Sequence, residues 1–466
     1  MKRVITALLI LFGATNLIAQ HHTDSLHTSR QSDTTIRRTL GKDLRFGHFE
    51  FHTRSFLMGT VNRGVLSDYS TMAVGAGLGY YSPSWKGFHV GLSGFFVFQV
   101  FQDNIYEKDP VTGKSNRYEI LMFDINDYHN THDLDRLEEL FISYENKGFT
   151  AILGRQKFES PLLNGQDNRM RPNVFSGISL NYKVKNWEFL ANWFNQVTIR
   201  GTVDWYSIQS SLGVYSTGRN PLESTESYKG NIHSYGIGVT GVKHQTKNWK
   251  NQIWNYNADN IFNTTFARSE YAFTKKNWRF LTGIEGFYET PLNNGGNADQ
   301  TKTYLLKNER AFGAGARLGF KVKGHQLTFN YLGISNIGRF LFPREWGREQ
   351  FFASLPRERF EGAGDVNALT VKYRYTIPKK NFYVELGANY TDNIQYTDID
   401  LNKYGLTSYY HFTGTLDYKF KGYLDGLELK FLAVHKRATD PDNLPDKYRI
   451  NKVEMWNLNF VIDYWF

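Results

Sequence analysis

Three groups of residues in this chain have the types and spacing to do chemistry. Gly236-Ile-Gly238-Val-Thr-Gly241 has the glycine spacing of a dinucleotide-binding loop. That chemistry needs a helix to follow, so that its N-terminus receives the pyrophosphate. A turn and another alternating segment follow instead, so these glycines read as strand-packing positions. Asp398-Ile-Asp400-Leu-Asn402 opens like a calcium loop. Its sixth residue is not Gly and its twelfth is Tyr409 rather than Glu, so it reads as solvated loop. The third group leads furthest. Arg54, Arg279, Arg317, Lys321, Lys372, Arg374 and Lys430 recur singly, on the polar face of segments whose other face is aliphatic or aromatic. Glu50, Glu285, Glu385, Asp417 and Glu428 share that face. Such side chains either pair off as the wall of a wet cavity or form a cationic track that guides anions. With no HExxH, no G-x-S-x-G, no Cys and 13 scattered His, no catalytic residue, metal site or cofactor is expected.

The elements that must position these residues are strands. The chain ends in WNLNFVIDYWF, where Trp456, Leu458, Phe460, Ile462, Tyr464 and Phe466 share one face. Asn457, Asn459, Val461, Asp463 and Trp465 share the other, which is the period of a β-strand. Segments of this kind recur at 44–57, 70–81, 86–100, 137–145, 148–157, 176–184, 187–199, 232–244 and 248–257. They continue at 260–273, 277–288, 308–322, 325–335, 366–376, 381–391, 407–420, 426–437 and 454–466, eighteen in all. Every second connection is short and turn-like, such as SPSW at 82–85, ENKG at 145–148, KGH at 323–325 and IPKK at 377–380. Most of the others are long, notably 101–136, 200–231, 289–307, 336–365 and 438–453; only the one around Asn257–Asn260 is short where a long one is due. Short turns on one rim and long loops on the other suit a closed antiparallel transmembrane barrel with both termini on the short-turn side. Charges on a lipid face are costly, so the charged face is assigned to the lumen. The last strand closes on the first, leaving no edge.

Composition agrees. Aromatic residues make up 16% of the chain, Gly is abundant at 41 and Pro scarce at 11, while mean hydropathy is only −0.49. Half the residues of a barrel strand face water, so low hydropathy and membrane residence are compatible. MKRVITALLILFGATNLIAQ has the basic start, short apolar run and small residue of a secretory signal, which assigns residues 1–19 to a signal peptide. Residues 20–42 hold few large apolar side chains and read as a flexible periplasmic tail, and 43–466 as the barrel. The net charge of +10 comes without a basic block, so no nucleic-acid partner is expected.

Two long connections carry a resemblance. GRQKFESPLLNGQDNRMRPNVFSG (154–177) and FPREWGREQFFASLPRERFEGAGD (342–365), with the strand plan around them, resemble OprD-type substrate-specific porins of outer membranes over residues 43–466. The resemblance implies that loop 158–175 folds into the barrel and narrows it, with Gln166, Asp167, Asn168, Arg169 and Arg171 at the constriction. It implies that a second loop, 336–365 with Arg344, Arg348, Arg357 and Arg359, borders the same opening. It also implies a ladder of wall bases, for which Arg317, Lys321, Lys372 and Arg374 are the candidates, and passive diffusion of small, carboxylate-bearing solutes. The expected partners are these solutes, outer-membrane lipids, the barrel assembly machinery through the strand ending in Phe466, and copies of the chain in a homo-trimer. The rival class is an outer-membrane barrel enzyme of lipase or protease type, which would need a compact catalytic cluster at the rim.

Overall fold

The exposure of side chains along the strands is inverted relative to a water-soluble protein. In the segment around Phe412, the large apolar Tyr410, Phe412, Leu416 and Tyr418 are exposed while His411, Thr413 and Asp417 are buried. Water would favour the opposite, so the outer surface is built for lipid and the interior for water and polar partners. In the computed structural model, which describes residues 47–223, 225–377 and 381–466, the strands are β1 (His48–Asn62), β2 (Tyr69–Tyr81), β3 (Phe88–Asp103), β4 (Arg136–Asn146), β5 (Phe149–Gln156), β6 (Val174–Val184) and β7 (Trp187–Thr198). They continue with β8 (Trp205–Ser207), β9 (Ile237–Gln245), β10 (Trp249–Ala258), β11 (Phe262–Lys275), β12 (Trp278–Pro291) and β13 (Ala311–Val322). The series ends with β14 (His325–Ile334), β15 (Val366–Ile377), β16 (Phe382–Asp392), β17 (Tyr409–Lys419), β18 (Leu427–Ala438) and β19 (Met455–Trp465).

Each strand pairs antiparallel with its neighbours, and β19 pairs with β1 from His52↔Trp465 to Asn62↔Met455, which closes the sheet. The short β8 only caps the end of β7, which runs on to pair with β9. The barrel is therefore eighteen-stranded with one accessory strand, in agreement with the count from the sequence. The first strand runs further than the alternation suggested, to Asn62, and leaves only 63–68 before β2. So 259–261 is not the sole short connection on the long-loop rim. The signal and tail assigned to 1–42 and the turn residues 378–380 lie outside the described residues.

On the short-turn rim, Lys147-Gly148 and Lys323-Gly324 make two-residue hairpins with φ of 44° and 87°, and of 45° and 90°. Positive φ at both central positions gives the turn twist that matches the strands. An aromatic girdle lies on this rim, with Phe88 against Tyr144, Trp249 against Tyr271, Trp278 against Phe320 and Phe51 against Phe466. Aromatic girdles mark the boundary of the apolar band. Both chain ends of the barrel meet here: the Phe51 amide donates to Phe466 O at 2.9 Å and the Phe466 amide to Phe51 O at 3.1 Å.

The barrel is not empty. Loops from the long-loop rim pack inward on wall side chains and form three apolar clusters, the smallest joining Leu444 and Val453 to Tyr409 and Ala438. Of the larger two, one joins Phe158, Leu162, Leu163, Trp346 and Phe351 to Trp254, Tyr256, Phe262 and Phe287 of the wall. The other joins Ile105, Tyr118, Met122, Phe123 and Leu134 of loop 104–135 to Phe56, Met58 and Phe95.

Candidate functional site

Loop 157–173 leaves β5 and returns in β6. At its start the Phe158 ring meets Phe194 edge-on at 5.0 Å, and Tyr256 of β10 donates its hydroxyl to Ser160 Oγ at 2.9 Å. Near its tip, Asp167 receives the Arg54 guanidinium of β1 at 2.6 Å, and the same guanidinium donates to Arg169 O at 2.7 Å. β10 and β1 lie far apart around the wall and both side chains point inward, so the loop crosses the lumen. Arg54 is held from behind by Asp463 of β19 at 2.6 Å. Of the tip residues, Arg169 is buried and donates to Tyr118 O at 3.1 Å, and Arg171 is buried and donates to Leu134 O at 2.6 Å. Asn168 Oδ1 accepts from Arg200, and Gln166 Oε1 accepts from Arg359 at 2.9 Å.

Loop 335–365 enters the barrel from the other side. Its Phe352 amide donates to Glu285 Oε1 at 2.6 Å, its Ala353 O accepts from Thr370 Oγ1 at 2.8 Å, and its Ser354 O accepts from Lys372 Nζ at 2.7 Å. Further along, Arg357 reaches β19, where its Nε donates to Asn457 Oδ1 at 3.0 Å. Glu358 sits among His411, Lys436 and the Tyr409 hydroxyl. Burial opposes ionisation of Glu358, but the Lys436 ammonium and the His411 ring outweigh it and bring the carboxyl down to about 2. The two loops lock together at Asn164. Its amide donates to Trp346 O at 3.1 Å, its Nδ2 donates to Arg348 O at 2.8 Å, and its Oδ1 accepts from the Arg348 amide at 3.2 Å.

The wall bases fall into three sets. Arg54, Arg317, Arg374 and Lys430 are ion-paired, with Asp463 and Asp167, with Glu270 at 3.0 Å, with Glu385 at 2.6 Å, and with Asp463 and Glu428. Arg317 also lies on the ring of Phe352, 4.0 Å from its centroid. Lys372 is spent on the loop carbonyl of Ser354. Arg279 and Lys321 stand opposite each other across β12 and β13 near the short-turn rim, with no ion pair among the described residues.

The loop junction has a different character. Arg344 pairs with Glu361 at 2.6 Å and Arg359 lies 3.7 Å from Glu349. Arg169, Arg200, Arg348 and Arg357 make no ion pair among the described residues. Arg200 lies close enough to depress the ionisation of all three of the others. Burial, and then the Arg200 and Arg348 guanidiniums, push Arg357 down to about 9, and burial, with Arg357 and Arg200, takes Arg169 well below its usual value. Burial and Arg200 lower Arg348 in the same direction. Arg200 itself is buried and its Nε has no hydrogen-bond partner among the described residues. A group of guanidiniums with this little compensation is a local concentration of positive charge. The sequence reading missed Arg200. It lies two residues past the end of β7 and is pinned by its backbone amide to Asn173 Oδ1 at 2.8 Å, a contact made only when loop 157–173 folds inward.

No protein-family model and no curated protein matches the chain in sequence. Solved structures do match in shape. OccAB4 of Acinetobacter baumannii superposes with a TM-score of 0.69 at 13% identity, over 90% of this chain and 97% of that one. OccK8 (OprE) of Pseudomonas aeruginosa gives 0.69 at 14% identity, over 90% and 97%. OpdK of Pseudomonas aeruginosa, solved with vanillate, gives 0.64 at 12% identity, over 90% and 98%. These neighbours are OprD/Occ porins, so the resemblance read from the two loops holds at the level of the fold.

Proposed function

We propose that this chain is an outer-membrane porin through which small, carboxylate-bearing solutes diffuse passively and selectively. The observation that carries the reading is the loop junction, where Arg169, Arg200, Arg348 and Arg357 cluster with no ion pair among the described residues, in a barrel narrowed by loops 157–173 and 335–365. A carboxylate entering this junction exchanges water for guanidinium donors, which match its geometry. Mutual repulsion among the four cations keeps the site from being a trap once the anion moves on, as conduction requires. The vanillate in the OpdK structure is itself a carboxylate, which supports the same solute class here. In this reading the signal at 1–19 exports the chain, the strand ending in Phe466 presents it to the assembly machinery, and Arg279 and Lys321 line the periplasmic exit. Arg344 and Arg359, each beside a glutamate, hold the shape of the second loop. Arg54, Arg317, Lys372, Arg374 and Lys430 hold loops and wall together more than they attract solute.

Purified protein in a planar bilayer tests this. Under a salt gradient the wild type should show an anion-selective reversal potential, and Arg200→Gln with Arg357→Gln should move it toward cation preference. Arg317→Gln with Arg374→Gln should move it less. A cation-selective wild type, or a junction variant that behaves like wild type, sinks the proposal.

A further inference from the structure

Each of the eight short connections between strands carries the same three residues in sequence: Lys, then Gly or Asn, then an aromatic ring. They read KGF at 86–88 and 147–149, KNW at 185–187, 247–249 and 276–278, KGH at 323–325, KNF at 380–382 and KGY at 421–423. The pattern occurs nowhere else in the chain. Two of its three positions are explained by the fold. Gly and Asn suit the tight reversal between paired strands. In seven of the eight the ring is the first residue of the next strand, and Phe88, Trp187, Trp249 and Trp278 among them are exposed as parts of the girdle. The lysine is not explained in this way. At 86, 147, 185, 276 and 323 its φ lies between 44° and 55°, where residues other than Gly, Asn and Asp are disfavoured. The Asn-Gly pair that hairpins favour would avoid that strain. The charge of the lysine, not the turn, therefore accounts for its presence. Lys380 lies outside the described residues; the other seven are exposed and make no ion pair among the described residues. The carboxylates within four residues of them are Glu145, Glu188, Asp417 and Asp425, none of which is exposed. Glu188 is turned instead to Lys183 and Lys243.

We propose that this ring of lysines binds the phosphates of anionic phospholipids in the periplasmic leaflet, with one position at each hairpin. Aromatic girdles lie at the level of the lipid headgroups, so a lysine two residues nearer the turn stands where the phosphates are. Its aliphatic stem can rest on apolar neighbours while the ammonium stays in the polar layer. The occupant follows from the distribution. A periplasmic protein docks on one sector of a rim, whereas lipid surrounds the whole circumference. Hairpins of one depth, each with a cation beside an outward ring, match an annulus of headgroups. A wall polymer beneath the barrel would meet the lysines but not the rings. The proposal is independent of which solute the channel passes.

Tryptophan quenching tests this, because Trp187, Trp249 and Trp278 of the girdle report the lipids beside them. The full-length protein is placed in phosphatidylcholine bilayers with brominated phosphatidylglycerol or brominated phosphatidylcholine as the quencher. Phosphatidylglycerol should occupy the annulus about fivefold more strongly, the effect of one basic residue near an anionic surface. Lys→Gln at all eight positions should bring that ratio to about one, and Lys→Arg at all eight should keep it, since both cations bind phosphate. If the full glutamine ring does not assemble, Lys86→Gln with Lys185→Gln, Lys276→Gln and Lys421→Gln should lower the ratio part of the way. Equal quenching by the two lipids in the wild type, an unchanged ratio in either glutamine variant, or a ratio lost in the arginine ring each overturns the proposal. Equal quenching together with binding of the wild type, but not of the glutamine ring, to isolated peptidoglycan would assign the lysines to the wall instead.

Discussion

At the scale of single residues, Glu358 anchors loop 335–365 to the wall. It is buried at the far end of loop 335–365, between Lys436 and His411 on two wall strands. A carboxyl with an ordinary value of 4.5 brought to about 2 in the fold contributes about 3 kcal/mol to the anchored state at neutral pH. The sign follows from the direction of the shift. The contribution is complete above the unfolded value and is lost as pH falls through the folded one. Anchoring is therefore insensitive to pH between about 8 and 5 and weakens below about 4. Removing one member of a buried pair costs about 3–5 kcal/mol, because the partner's charge, here the Lys436 ammonium, stays behind. Glu358→Gln should accordingly show at pH 7 the noisy, enlarged single-channel conductance that the wild type reaches only in acid. A quiet variant at pH 7 would mean that the other anchors of the loop suffice.

At the scale of elements, the strands were legible because their signal is local. A period of two with aromatic ends survives in any short window, and all eighteen barrel strands lie within a few residues of where alternation put them. The short β8 carried no such signal, since its three residues do not alternate long enough to register. The loops were legible only through resemblance. That Arg317 meets Glu270 and Arg374 meets Glu385 depends on the register between strands, which alternation alone leaves open. That Arg200 joins the junction depends on a contact with Asn173 across 27 residues of chain. The same holds for Gly347, whose role appears only where the loops cross. A Cβ there would stand 2.5 Å from Leu162 O and 2.7 Å from the Asn164 amide nitrogen, both backbone atoms that cannot swing aside. Gly347→Ala should push loop 335–365 away from loop 157–173 while leaving the barrel closed. The expected result is a higher single-channel conductance with an unchanged heat-modifiable mobility on gels. Wild-type conductance would mean that the loops shift together and keep the opening.

At the scale of the whole molecule, two sources of positive potential have to be separated. The chain carries a formal charge of +10, of which +4 falls on residues 1–42 and the rest is distributed over the barrel sequence. The loop junction concentrates a few guanidiniums in a confined, partly dehydrated space. Salt distinguishes them. The Debye length falls from about 10 Å at 0.1 M to about 3 Å at 1 M, so rim and vestibule charges are screened away over that range. Charges that a passing solute must touch are screened far less, since there is no room for a counterion atmosphere between them and the solute. Anion preference should therefore fall as salt rises but level off above zero in the wild type. In Arg200→Gln with Arg357→Gln the low-salt preference should persist in part, because the distributed charge is nearly unchanged, while the high-salt remainder should vanish. The measurement is the reversal potential at a fixed concentration ratio, stepped from about 0.1 to 1 M. If the wild type loses all selectivity at 1 M, or the variant keeps the same remainder, selectivity is set by the charge of the whole barrel and not by the junction.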